Sequence, residues 1–274
     1  MILTSHPAIV IPPECGFIVW LLDKYGNWGD PDSQETDRRS DFLNDLSRAK
    51  KIDTWNLDLV ELERKILTNN PNNYAELCDL VYRCYGEKFQ KRDAILGDKN
   101  NFHVKHLENL RRIYPDARFV HLVRDGRDVA CSYREVMTMR FMSPYAPKLE
   151  TRIDKIAQEW LENTRRVLMF SKQIGKSRTI TVRYEDLVSD SARVVDKLCN
   201  WLGVEHEDKM LSFYKKNRSS LLEPKATLEW KKRTLEPISN VTVGRYKSVL
   251  TQAEIESFHK VASEGLKAFG YISD

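Results

Sequence analysis

The chain has 274 residues, 41% hydrophobic and 31% charged, which suits a globular protein with a full core. Its 44 Lys and Arg against 40 Asp and Glu leave a net charge of +4, compatible with an anionic small ligand but without the clustered basic face of a nucleic-acid binder. No run approaches the roughly 18 apolar residues of a membrane-spanning helix, and MILTSHPAIVIPPE lacks the basic start and apolar core of a signal peptide.

The five cysteines are scattered and form no C-x-x-C pair, which points to a reduced, cytoplasmic compartment. In chain order, MILTSH reads as the tail of a helix. PAIVIPPE is extended and stiffened by Pro12 and Pro13, and FIVWLLDKYG is a helix stopped at Gly26. GNWGDPDSQ is a loop. From Glu35 to about Gln90, apolar residues at three- and four-residue spacing predict helices in DFLNDLSRAK, NLDLVELERKIL and NYAELCDLVYRCYGEKF. The period then changes. AILGDKN reads as a short buried strand running into a loop, FHVKHLENLRRIYP as a helix closed by Pro115, ARFVHLV as a strand and GRDVACSYREVMTMRF as a helix. A long helix, IDKIAQEWLENTRRVLMFSKQIG, ends at Gly175. The strand SRTITVRY and the helix SARVVDKLCNWLG follow, the latter ending at Gly203. Leu222 to Lys247 is basic and loop-like. TQAEIESFHKVASEGLKAFGY closes the chain as a helix, with Thr251 as N-cap and Glu254 three residues on. Strands alternating with helices predict a three-layer α/β fold, a parallel sheet with helices on both faces, in a single domain over 1–274.

Arg124 ends the apolar strand in FVHLVRDGRDVACSYR. In an open parallel sheet, ligands bind at the carboxyl ends of strands, where the next helix also turns its positive N-terminus. An arginine fork, a helix N-terminus and the Ser132 hydroxyl on the early turns together make a phosphate site. The competing reading pairs Arg124 with Asp125, Asp128 or Glu135. On the residues alone, Glu14 reads as an exposed loop carboxylate and Lys99 as a solvated turn lysine. Tyr184 reads as core packing with its hydroxyl at the edge. GKS at Gly175 to Ser177 imitates the end of a Walker A loop, but Phe170 stands at the place of the first glycine and a strand follows it. His103 and His106 share a helix face without a visible third ligand, so no metal site is expected. Trp160 reads as a core anchor.

YPDARFVHLVRDGRDVACSYR closely resembles the 3′-phosphate-binding segment of sulfotransferases that use 3′-phosphoadenosine 5′-phosphosulfate (PAPS). Other segments resemble parts of that family in order. LTSHPAIVIPPE is similar to the segment after its first helix, and GDKNNFHVKHLENLRRIYPDAR to its second strand-loop-helix. VRYEDLVSDSARVVDKLCNWLGV resembles the third strand and its helix, and VGRYKSVLTQAEIESFHKVASEGLKAFGY the C-terminal closure. The resemblance spans nearly the whole chain. It is nearer to the bacterial enzymes akin to tyrosylprotein sulfotransferases than to the cytosolic type acting on phenols and steroids. It implies a sulfotransferase fold similar in architecture to nucleotide kinases. It also implies transfer of a sulfuryl group from PAPS to a hydroxyl or amine of a small molecule or peptide, without a metal. Arg124 and Ser132 match the 3′-phosphate ligands, Glu14 the carboxylate that takes the acceptor's proton, and Lys99 the cation on the transferring group. Tyr184 matches a tyrosine near the nucleotide, and Arg245 and Lys247 lie in the basic loop that folds over it. Residues 28–90 fall on the acceptor side. The chemistry asks for such a set: charge gathers on the leaving phosphate oxygens, so cations belong there, and a carboxylate within reach can deprotonate the incoming hydroxyl.

The chain departs from the family pattern at one place. Before L-x-x-H-P such enzymes carry a strand and a loop like G-x-x-R-S-G-T-T, which wraps the 5′-phosphosulfate with backbone N–H groups. Met1 begins after that point, and no glycine-rich turn with an R-S-G or G-K-[ST] core lies between a strand and a helix further on. The expectation is a longer natural protein or a degenerate paralogue of doubtful activity, with ARFVHLV and AILG left with uncovered ladder groups and apolar faces. Two rival readings stand beside the enzyme: a small-molecule kinase of the same architecture, and a non-catalytic nucleotide-binding or interaction module using the Glu35–Gln90 helices. The acceptor and the oligomeric state stay open.

Overall fold

The computed structural model describes residues 1–30, 38–220 and 222–273. The end of the GNWGDPDSQ loop and the start of the helical stretch at Glu35 lie outside the described residues. The chain divides into two compact units, Met1–Asp116 with Glu207–Lys225, and Ala117–His206 with Ala226–Asp274.

In the first unit, Ile9–Val10 (β1) and Ile95–Leu96 (β2) pair in parallel, Ile9 opposite Ile95 and Val10 opposite Leu96. Parallel neighbours need a long crossover. Here it carries the helices Arg38–Arg48, Leu59–Asn69 and Tyr74–Glu87. The side chains of Asp58 and Asn73 cap the last two by accepting from the Glu61 and Glu76 N–H groups. Their apolar stripes bury Phe42, Leu46, Leu62, Ile66, Leu77 and Val81 in one core with Trp55. The Trp55 indole N–H donates to the Pro13 carbonyl at 2.8 Å, and its ring meets Phe17 edge-on at 5.7 Å. The Lys91 ammonium donates to the carbonyls of Thr4, His6 and Ile9, each at 2.7 Å, and so fastens the N-terminal segment.

Several boundaries in this unit differ from the expected ones. MILTSH is a single 3-10 turn, Leu3–Ser5, and FIVWLLDKYG is two short helices, Phe17–Trp20 and Leu22–Tyr25, meeting at Leu21. The Asn100 side chain caps a 3-10 turn over Asn101–Lys105, so the expected helix begins only at Leu107 and runs to Ile113. Ile95 is exposed where a buried strand was expected.

In the second unit, Phe119–Val123 (β3) and Thr179–Arg183 (β4) pair in parallel from Phe119 opposite Thr179 to Val123 opposite Arg183. Between them run the helices Gly126–Thr138 and Ile153–Ile174. Gly175, at φ +83°, ends the long helix and leaves GKS in the turn before β4, where no phosphate loop forms. The closing helix, Gln252–Ala268, starts at the expected Thr251–Glu254 capping box. It packs on Ile153–Ile174 through Ile156, Ala157, Leu161, Phe258, Ala262 and Leu266. The basic tail is less loop-like than its composition suggests: Lys225–Lys231 is helical and buries Thr227. Val120 and Leu122 of β3 are exposed. Among the described residues no helix is long and apolar enough to cross a membrane.

Two predictions follow from the core of the second unit. A Cβ on Gly126 would lie 2.5 Å from Phe258 Cζ and 2.7 Å from Trp160 Cδ2. Gly126→Ala should therefore lower the urea-unfolding free energy by about 1–3 kcal/mol, the usual range for overpacking. His121 of β3 packs on Phe269, its Nδ1 is buried without a partner among the described residues, and burial pushes its pKa down to about 4. The ordinary value is about 6.5, so the folded state holds this ring neutral while the unfolded chain charges it. Its contribution is whole above about pH 6.5 and is lost as the pH falls toward 4, at up to roughly 1.4 kcal/mol per pH unit. Urea unfolding of His121→Leu should show a correspondingly flatter pH profile across that window.

Candidate functional site

β3 ends at Val123, and Arg124 follows at its carboxyl end. Its backbone is held from the core: the Trp160 indole N–H donates to the Arg124 carbonyl at 3.1 Å. The anchor expected at Trp160 therefore also sets the residue on which the site depends.

The three carboxylates that could have neutralised Arg124 have other partners. Asp125 caps the helix Gly126–Thr138 by accepting from the Arg127 N–H at 2.9 Å, and it forms a buried ion pair with the Arg127 guanidinium at 2.7 Å. Asp128 accepts the backbone N–H groups of Gly244 at 2.7 Å and Tyr246 at 2.9 Å. Glu135 pairs with Arg245 at 2.5 Å. Arg124 instead donates from Nη2 to the Thr242 carbonyl at 2.8 Å and lies over the Tyr184 ring, 4.7 Å from its centroid. Among the described residues its Nε is buried without a partner. The Tyr184 hydroxyl shares a 3.0 Å hydrogen bond with Thr242 Oγ1, so Tyr184 is not merely core packing. Its neighbour Glu185 accepts the Asp125 N–H at 3.0 Å and ties the end of β4 to that of β3.

Asp128, Ser132 and Glu135 recur at four and three residues and share one face of their helix. Two of them hold the 244–246 segment, and Ser132, a half-buried residue, lies between with a hydroxyl that no described residue engages. The expected contribution of the helix N-terminus is smaller than the sequence suggests, because Asp125 already supplies the anion there. The two basic-loop residues separate: Arg245 is committed to Glu135, whereas Lys247 is exposed and has no ion-pair partner among the described residues.

In the first unit, Glu14 lies four residues beyond the end of β1 and Lys99 three beyond the end of β2. The parallel pairing sends both to the same end of the ladder, and they meet: Lys99 Nζ contacts Glu14 Oε1. Lys51 Nζ reaches Glu14 Oε2 at 3.1 Å. Glu14 is thus not an exposed loop carboxylate, although the Lys99 side chain is largely solvated. Cys15 beside it is buried, and burial pushes its thiol up to about 12, so it stays a protonated apolar group. Asp98, next to Lys99, accepts from the Tyr82 hydroxyl at 2.6 Å, and His103 Nε2 stands 3.3 Å away out of line for a hydrogen bond. Among the described residues no three or more His, Cys, Asp or Glu side chains gather as a metal site.

Lys51, Thr242 and Asp128 have working positions that the sequence reading missed. Lys51 is 37 positions from Glu14 and belongs to no motif; only the folding of the 51–55 turn brings it close. Asp128 had a signal in its regular spacing to Ser132 and Glu135.

A family model described as the sulfotransferase family matches residues 1–208. The chain belongs to the sulfotransferase family. It is 24% identical over 152 residues to the omega-hydroxy-beta-dihydromenaquinone-9 sulfotransferase Stf3 of Mycobacterium bovis, and equally to that of Mycobacterium tuberculosis. That match covers 50% of this chain but only 39% of the relative's length. Among solved structures, the sulfotransferase domain of the Synechococcus PCC 7002 olefin synthase aligns over 100% of this chain and 89% of its own, with a TM-score of 0.61 at 19% identity. The sulfotransferase domain of the curacin biosynthetic pathway aligns over 96% and 91%, with a TM-score of 0.52 at 17% identity. The fold of this sulfotransferase chain is therefore the expected α/β one.

The carboxylate of Asp128 should govern the segment it holds. In Asp128→Ala the Gly244 and Tyr246 N–H groups lose a charge-assisted acceptor, at a cost of about 1.5–3 kcal/mol. Hydrogen exchange should accelerate at those two amides by tenfold or more, while amides within Ile153–Ile174 keep their rates.

Proposed function

We propose that the chain is the sulfuryl-transferring part of a PAPS-dependent sulfotransferase. The observation that carries this reading is the state of Arg124: a guanidinium at the end of a parallel strand, stacked on Tyr184, with a buried Nε that, among the described residues, has no partner and no carboxylate against it. A buried donor without an acceptor calls for a ligand or water. The phosphate of a nucleotide matches its fork, and the Ser132 hydroxyl and the Lys247 ammonium are donors of the right kind in the same unit. PAPS itself supplies the sulfuryl group on an activated phosphate.

In this reading Arg124 and Ser132 hold the 3′-phosphate, with Tyr184 beside the nucleotide and Lys247 as the uncommitted cation of the loop. Arg245 acts through Glu135 to keep that loop in place. Lys99 compensates charge on the transferring group. Glu14 takes the proton of the acceptor hydroxyl as its oxygen bonds to sulfur; the bond from sulfur to the phosphate oxygen breaks, and that oxygen leaves with the electron pair as part of 3′-phosphoadenosine 5′-phosphate. The acceptor is a hydroxyl or amine of a small molecule or peptide. The hydroxylated quinone in the name of the mycobacterial relative falls in the first class.

Isothermal titration tests the clamp. The chain should bind 3′-phosphoadenosine 5′-phosphate, and Arg124→Ala should weaken that binding by about 1.5–3 kcal/mol, roughly tenfold or more. Adenosine 5′-phosphate lacks the 3′-phosphate and should be indifferent to the same substitution. Equal affinity of Arg124→Ala and the parent chain for the bisphosphate would remove the assignment, and preference for ATP would favour a kinase.

A further inference from the structure

The two lysines on Glu14 differ in kind. Lys99, on Oε1, has a side chain 58% exposed; Lys51, on Oε2, is 19% exposed, and the Glu14 side chain is 15% exposed. Water and salt screen the first contact far more than the second. The backbone under Lys51 adds to the contrast. It adopts φ +72° and ψ 0°, a left-handed conformation uncommon for a residue with a side chain. The turn is held there: the Lys51 carbonyl accepts from the Thr54 hydroxyl at 2.6 Å, and Ile52 and Trp55 are buried. Trp55 is also the residue whose indole N–H grips the carbonyl of Pro13, immediately before Glu14. The segment carrying Lys51 and the segment carrying Glu14 are therefore joined twice, once by the indole and once by the ion pair.

We propose that Lys51 is a positioning residue for Glu14, the fixed counter-ion that keeps its carboxylate ionised and aimed, while Lys99 is the exchangeable partner that departs to the transferring sulfuryl group. The proposal rests on the reading of Glu14 as the base and Lys99 as the transfer cation. It divides two chemically identical groups by their surroundings. A solvated lysine leaves its carboxylate at little cost, and a largely buried one does not. With Lys99 gone, Lys51 still balances the Glu14 charge until the proton arrives. Among the described residues the titratable groups around this pair include Cys15, Asp98, with Tyr82 and His103 against it, and Asp53 in the same turn as Lys51.

Carbon-13 NMR titration of the Glu14 carboxylate in the full chain, assigned with Glu14→Gln, tests the division. Lys51→Met should raise the Glu14 midpoint by about one pH unit or more, the scale for loss of an opposite charge in contact. That shift should persist from 0.05 to 0.5 M salt by the weak screening of buried pairs, while Lys51→Arg restores the parent midpoint to within about 0.3 units. Lys99→Met should shift it less, and the shift should fade at about 0.5 M salt. Should Lys51→Met fail to fold, Lys51→Asn removes the charge with a side chain that tolerates the left-handed backbone. An unmoved midpoint in the Lys51 variants, or a larger salt-resistant shift in Lys99→Met, would overturn the proposal. The base reading fails separately, if Glu14→Gln leaves the conversion of PAPS and water to 3′-phosphoadenosine 5′-phosphate and sulfate unchanged.

Discussion

Arg124 keeps its capacity for an anion because each nearby acid has a better claim elsewhere. At a contact of about 4 Å and an effective dielectric near 20, an unpaired carboxylate would attract it with roughly 4 kcal/mol of gross Coulomb energy. Asp125 is held by Arg127 and by the helix it caps, Asp128 by two backbone amides, and Glu135 by Arg245. What Arg124 touches is neutral: a carbonyl and an aromatic ring. Such contacts each contribute on the order of 1 kcal/mol. A phosphate that replaces the Thr242 carbonyl exchanges a neutral acceptor for a charged one and gains by it. Under the proposed function Thr242 is the resting partner of Arg124, and the loop that carries it is anchored through Asp128 and Glu135 independently of that contact.

The link from core to site runs through Trp160. The indole crowds Gly126 and Gly265, and its N–H fixes the Arg124 carbonyl. Gly126 is small because that ring and Phe258 stand where a Cβ would go, which lets the helix start directly under the end of β3. Packing between two helices thus holds the backbone of Arg124. Under the proposed function, a core substitution at this packing would change affinity by moving that backbone, without touching the hydrogen bonds of the guanidinium.

The sequence made some of this visible and hid the rest for physical reasons. The alternation of strands and helices, the glycines at 175 and 203 and the Thr251–Glu254 box are local signals, and the elements they mark are found where they were read. Helix breaks at Leu21 and His106 were not legible, because apolar periodicity continues through both and only the local turn geometry interrupts it. At the site, residue types within one segment could be read, so Arg124 and Ser132 were picked out from a single motif. Pairing across distance could not. Nothing near Lys51 announces Glu14, and nothing near Arg124 says whether Asp128 will bind it or a pair of amides on a segment more than a hundred residues away. Identical chemistry in Arg245 and Lys247 left them equivalent on paper, and only Glu135 tells them apart.

Glu14 shows how little such a cluster needs to contribute to stability. At 3.1 Å and an effective dielectric near 20, the contact with Lys51 is worth about 5 kcal/mol of gross attraction. Taking two charges largely out of water costs several kcal/mol for each ion, so the net sits near zero. The cluster is then poorly explained as a device for holding the first unit together, which Trp55 and its aromatic neighbours already do. What the geometry does supply is orientation. Each carboxylate oxygen has its own cation, and the indole clamp on Pro13 limits how far the backbone can carry them. A carboxylate that must accept a proton from one direction gains more from being aimed than from being bound tightly. In the proposed division the solvated contact with Lys99 is the one it exchanges, while the largely buried contact with Lys51 holds it.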